Sequence, residues 1–190
     1  MVAIILLLPA CNVIKVSKGE SDPGVLTNAK NLGFDEPAAG DGDPPGWDRR
    51  GGEPELYLFE VDPNTKKSGA SSALIRLGFE EEAEEGIDTS LIQCVEPDGF
   101  EGKSFRLTGW IKTQGAAGQG AALWIGAYDA AGGDAGGWFP SDDQWRAGDQ
   151  DWSLYEAHTP PLAGADKICF GPILYGPGSA WFDELKVSAG

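Results

Sequence analysis

The sequence predicts an all-β domain, a sandwich or a barrel, on three observations. Its 28 Gly and 13 Pro cut the chain into short segments, and its seven Trp need broad packed surfaces. No stretch holds a sustained helical period. With 190 residues the chain has room for one ordinary core and too little for two.

Eight short apolar segments between turns are the strand candidates: 56–61, 72–79, 90–96, 104–113, 121–129, 152–159, 167–174 and 180–187. Alternation assigns their faces. In 104–113, Phe105, Leu107 and Ile111 share one side while Arg106, Thr108, Trp110 and Lys112 share the other. In 121–129, Leu123 and Ile125 oppose Trp124 and Tyr128. The aliphatic side reads as core, and the side mixing aromatic with polar groups reads as the lining of a shallow groove.

Between these segments, 130–151 reads as a long Gly- and Asp-rich loop carrying Trp138, Phe139 and Trp145. Loops of that length are functional or disordered more often than not. Its aromatics are expected to face solvent, with a loop collapsed on its own rings as the alternative. The glutamates at 80, 81, 82, 84 and 85 read as solvated surface.

A formal charge of −16 excludes the partners that need a basic surface. Phosphate backbones and anionic lipid headgroups attract Lys and Arg, so neither nucleic acid nor direct adsorption to a membrane is expected.

Val2 to Leu8 form an apolar run too short to span a bilayer as a helix, which marks a targeting segment. With Pro9, Ala10 and Cys11 after it, the run resembles a lipobox, the site where bacterial lipoproteins are cut and acylated. That resemblance implies lipidation of Cys11, a protein outside the cytoplasm, and membrane contact through the lipid anchor only. A hydrophobic N-terminal strand is the alternative. Residues 12–30 are polar and aperiodic and read as a flexible tether. The expected organisation is therefore a signal segment over 1–11, a tether over 12–30 and a folded domain over 31–190. Export permits a disulfide between Cys94 and Cys169, with two buried thiols as the alternative; no Cys or His spacing indicates zinc.

Taken in order, several short segments resemble the galactose-binding-like jelly-roll domains that include cellulose- and xylan-binding modules. Asn31, Leu32, Gly33, Phe34 and Asp35 open the likeness, followed by Pro45, Gly46 and Trp47. It continues through 69–77, Gln93, 102–113, 122–124, Trp152 and Tyr155, and closes with Gly171, Gly176, Gly178 and 180–187. The resemblance covers about residues 31–188. It implies a jelly-roll β-sandwich of two antiparallel sheets. It also implies a structural calcium ion held by the carboxylates of Asp35 and Asp183, with carbonyls from Gly33 and the loop around Gly69 completing a hard oxygen shell.

Other chemistry finds little footing. Phe100 to Ser104 lacks the first Gly of a phosphate-binding loop, since position 97 is Pro, and reads as a hairpin turn. His158 is the only histidine and has no nucleophile motif beside it. The function expected is non-catalytic recognition of a polysaccharide or other glycan. Trp110, Trp124 and Tyr128, with Lys112 and Arg76, would form the site on one face; Trp138, Phe139 and Trp145 would form the alternative site. A protein-interaction module without a glycan ligand is the second reading, and a glycan-active hydrolase the third.

Overall fold

The computed structural model describes residues 26, 28–38, 42–78, 87–96, 102–140 and 145–190, with the side chains of 138 and 139 outside the description. Cys11, the glutamate run and most of the expected tether lie outside the described residues. Among those described, no helix is long and apolar enough to cross a membrane.

Among the described residues nine strands follow in order: β1 Asp48–Gly51, β2 Tyr57–Asp62, β3 Ser72–Leu77, β4 Asp88–Val95, β5 Phe105–Tyr128, β6 Asp134–Pro140, β7 Arg146–His158, β8 Lys167–Tyr175 and β9 Ser179–Ala189. Every described strand pairing is antiparallel. They form two layers sharing one strand. The first half of β5 pairs with β9 and β7, and β9 continues through β3 to β2; this is layer A. The second half pairs with β8 and β6, and β8 continues through β4 to β1; this is layer B.

The long β5 corrects two sequence expectations. The segments 104–113 and 121–129 are one 24-residue strand. Gly115, Gly118 and Gly120 between them hold φ of 61°, 68° and 85°. These left-handed positions let the strand bend from one layer into the other, and the pairing with β7 shifts register three times along it. The expected loop 130–151 is the second correction: it contains β6 and the start of β7.

Between the layers lies a continuous core. Phe105, Leu107 and Ile111 enter it from layer A, and Leu123, Ile125 and Ala127 from layer B, so the alternation read from the sequence holds on the inner faces. Phe170, Phe182, Phe59 and Trp47 fill the middle, each ring contributing about 2–3 kcal/mol by leaving water. Tyr57 is buried with them, and its hydroxyl donates to the carbonyl of Gly176 at 3.0 Å. Burial pushes its pKa up to about 12, so it stays a neutral donor.

The expected tether ends earlier than 30. Leu26 and Ala29 pack against the core, and the Leu26 amide donates to Val187 at 3.1 Å. The Lys30 amide donates to the Gln93 side chain at 2.7 Å, while that side chain donates back to the carbonyls of Lys30 and Gly46. Gln93 thus ties the incoming chain to β4, because a buried amide needs all its partners.

Candidate functional site

Residues that do not point into the core make a second cluster on the outer face of layer B. Ala122 and Trp124 of β5 pack with Cys169 and Ile173 of β8, and Ile92, Tyr128 and Trp145 close around them. Alternation explains the cluster: Leu123 and Ile125 face inward, so Trp124 between them must face out. Trp124 is nonetheless only 2% exposed. It forms the floor of this face rather than an open stacking platform, a correction to the sequence expectation caused by the rings and aliphatic groups gathered over it. Its indole Nε1 is buried and has no hydrogen-bond partner among the described residues. Such a donor costs about 1–3 kcal/mol if left unmet.

Tyr128 is half-buried and lies over Gly126, where a Cβ would stand 3.2 Å from its hydroxyl. Arg50 reaches across from β1. Its guanidinium sits 5.6 Å from the Tyr128 ring centre and 5.9 Å from that of Trp124, and it donates to the Tyr128 hydroxyl at 3.3 Å. Trp145 meets Tyr175 edge to face at 6.0 Å. A cavity of about 200 Å³ opens beside these groups, lined by Arg50, Gly51, Asp88, Ser90, Trp124 and Ile173. A neighbouring one of about 300 Å³ is lined by Lys30, Asp48, Ile92 and Cys94, among others. The face therefore offers aromatic and aliphatic walls, hydrogen-bond donors and two carboxylates at once.

Cys94 and Cys169 are joined by a disulfide across β4 and β8, with Cα atoms 4.0 Å apart. The thiol alternative is set aside. The bond lies on this same outer face, with Cys169 in the Trp124 cluster.

The expected site does not assemble on one face. Trp110, Lys112 and Arg76 lie on layer A, while Trp124 and Tyr128 lie on layer B. Both tryptophans point outward, but β5 changes layers between them, so they end on opposite sides of the molecule. Trp110 is half-buried under the Lys67 ammonium, 3.8 Å from its ring centre, and Lys112 pairs with Asp151 at 3.0 Å. Leu154, the residue opposite Trp110 on β7, is 55% exposed. The alternative site also dissolves as a loop. Trp138 and Phe139 stand in β6 at the register positions opposite Gly126 and Ile125, and Trp145 packs against the Trp124 cluster. Sequence reasoning missed Arg50, Ser90 and Ile173. Arg50 sits in a charged four-residue strand with no apolar alternation to reveal it.

Asp35 and Asp183 meet the same loop from opposite ends of the chain. Asp35 accepts from the amides of Ala70 and Ser71, and Asp183 from those of Lys67 and Ser68, at 2.7 and 3.0 Å. Ser68 also donates to Glu184. Asp183 is fully buried, and burial raises its pKa although three amides pull the other way. Its described partners are all backbone N–H groups. The hard oxygens and the buried negative charge suit a divalent cation. Among the described residues, however, no three acidic, His or Cys side chains converge. The Asp35 carboxylate folds back over Gly33 and Gly69.

No family model matches the sequence. Solved structures share its architecture. Over 83% of this chain and 91% of theirs, the CBM22-1 xylan-binding domain of Paenibacillus barcinonensis Xyn10C superposes with a TM-score of 0.54 at 16% identity. TmCBM61, solved with β-1,4-galactotriose, matches over 86% of this chain and 97% of its own with a TM-score of 0.51. The chain has the jelly-roll β-sandwich fold that these carbohydrate-binding modules share. The same sandwich also matches the enzymatically active domain of bacteriophage CBA120 tailspike protein 4 with a TM-score of 0.62, across 88% of this chain but 22% of the tailspike. By sequence the chain is 26% identical over 140 residues to YbfP, an uncharacterized HTH-type transcriptional regulator of Bacillus subtilis. That match covers 74% of this chain and 46% of the regulator, so the chain spans under half of the curated relative it matches. The jelly roll is a scaffold used for several purposes, and the site decides among them.

Proposed function

We propose that this domain binds a glycan, without transforming it, on the outer face of layer B. The observation that carries this reading is the second cluster, where Tyr128 and the floor of Trp124 adjoin cavities lined by Arg50, Ser90, Asp88 and Asp48. Sugar rings present apolar C–H faces to aromatic or aliphatic walls and hydroxyls to polar groups alongside, and this face supplies both. The shared fold with xylan- and galactotriose-binding modules supports the same reading.

The test is affinity electrophoresis of the full chain against a panel containing xylan and β-1,4-galactan. Binding to at least one is expected, with Tyr128→Ala losing about ten-fold or more, the effect of one good stacking contact. Trp110→Ala, on the opposite face, is expected to keep the wild-type affinity. Retention by no polysaccharide would end the glycan reading. The exposed Leu58 and Leu154 of layer A would then direct the search towards a protein partner.

We also infer a structural calcium ion at the Asp35–Asp183 loop, supported by the buried carboxylate of Asp183, which meets backbone amides but no cationic side chain among the described residues. Added CaCl2 is expected to raise the melting temperature by several degrees over a chelator, and Asp183→Asn to abolish the difference. An identical melting temperature in both solutions would remove the ion.

A further inference from the structure

We infer that the cavity between β1 and β5 is a subsite for an acidic sugar, with Arg50 holding the carboxylate of a hexuronic acid residue. The inference rests on the glycan reading and names its substrate class. The chain has 30 acidic residues against 14 basic ones. Arg49, Arg76, Arg106 and Lys112 pair with Asp43, Glu60, Glu156 and Asp151, whereas Lys67 and Arg146 lie over the rings of Trp110 and Tyr155. Among the described residues, Arg50 makes no ion pair. It spreads over the rings of Trp124 and Tyr128, spends one donor on the Tyr128 hydroxyl, and keeps the rest of its planar fork available.

The rest of the lining fits the same ligand. Ile173 and the edge of Trp124 give an apolar wall for the ring's C–H face. Asp88 offers acceptor oxygens to sugar hydroxyls, and Ser90, whose hydroxyl already donates to the Arg50 carbonyl at 3.2 Å, keeps a lone pair for another. A uronic acid carries all three features at once: an apolar face, donor hydroxyls and one carboxylate. A neutral sugar would leave the guanidinium matched only by neutral acceptors, and charge-assisted bonds are about twice as strong as neutral ones. Lys30 lines the neighbouring cavity, which adjoins along β1 and β4, and is likewise without an ion pair among the described residues. It is placed for the carboxylate of a second residue in the chain. The overall charge of −16 opposes any polyanion at long range. At physiological salt that field is screened beyond about 8 Å, whereas a direct Arg–carboxylate contact is not.

Isothermal titration of the full chain in 0.15 M salt with tetragalacturonate, its methyl ester and xylotetraose tests the proposal. Tetragalacturonate is expected to bind at least ten-fold more tightly than its ester. Arg50→Gln is expected to erase that preference, and Arg50→Lys to restore only part of it because the ammonium lacks the planar fork. The far-face variant Lys112→Gln is expected to leave the preference intact, and the melting temperature of each Arg50 variant reports whether it folds. Equal affinity for acid and ester, or a preference that survives Arg50→Gln in a folded protein, would overturn the subsite while the glycan reading stands. Binding to none of the three, with none to the polysaccharide panel, would overturn both.

Discussion

Gly120→Ala is expected to cost about 3–5 kcal/mol, enough to lower the melting temperature by roughly 10 °C or to prevent folding. The glycine holds φ of 85°, a region that costs a residue with a side chain about 1–3 kcal/mol. The larger part is steric. A Cβ at this position would stand 1.8 Å from the carbonyl oxygen of Arg146, and that oxygen belongs to the backbone of β7, which has no rotamer to escape into. The site is also the bend at which β5 leaves one layer for the other. Thermal melting followed by circular dichroism checks the expectation. Gly102→Ala serves as the comparison, because that glycine also has positive φ but meets nothing within 4 Å. A Gly120→Ala protein no less stable than Gly102→Ala would show that β7 can withdraw from the bend.

Removing the Cys94–Cys169 bond is the second large effect. The bond closes a stretch of 75 residues, and restricting so long a loop in the unfolded chain stabilises the fold by about 4 kcal/mol in the chain-entropy model. The double variant Cys94→Ala/Cys169→Ala should lose that amount in urea unfolding, with a steeper slope because the unfolded chain without the cross-link exposes more surface. Wild type in excess dithiothreitol should move to the same midpoint. The effect should reach the outer face too, since Cys169 packs beside Trp124 and the bond joins neighbouring strands beneath the proposed ligand. A midpoint unaffected by reductant would mean that the hydrogen-bonded pairing of β4 with β8 suffices alone.

Much of the sandwich is legible in the residues. The alternation of Phe105, Leu107 and Ile111 against Arg106, Thr108 and Trp110 is a local property, and it survives unchanged because a strand with one buried face has only one workable register. Strand β1 is illegible for the opposite reason. Asp48, Arg49, Arg50 and Gly51 carry no apolar side chain, and only their pairing with Ile92 through Thr89 makes them a strand. In β6, Gly136 and Gly137 imitate a loop while β5 supplies the partner.

The site was harder to read than the fold. Alternation says that Trp110 and Trp124 both face outward, but it carries no information about which layer each belongs to. That depends on the bend at 115–120, where the glycines look like an ordinary turn. Trp145 shows the same limit. Nearness in sequence groups it with Trp138 and Phe139, whereas its packing partner Tyr175 lies 30 positions away on β8. The partnership of Arg50 with Tyr128 spans 78 positions. No periodicity reaches so far.

A strand hydrogen-bonded into both layers has a mechanical consequence. Most two-layer folds can be imagined parting along the plane between their sheets, with only side-chain contacts to resist. Here the plane is crossed by continuous covalent backbone from Phe105 to Tyr128, flanked by partners on either side of the bend. Tension applied at Tyr128 is therefore carried through the polypeptide itself into the opposite layer, where β9 and β7 hold the other end in shear.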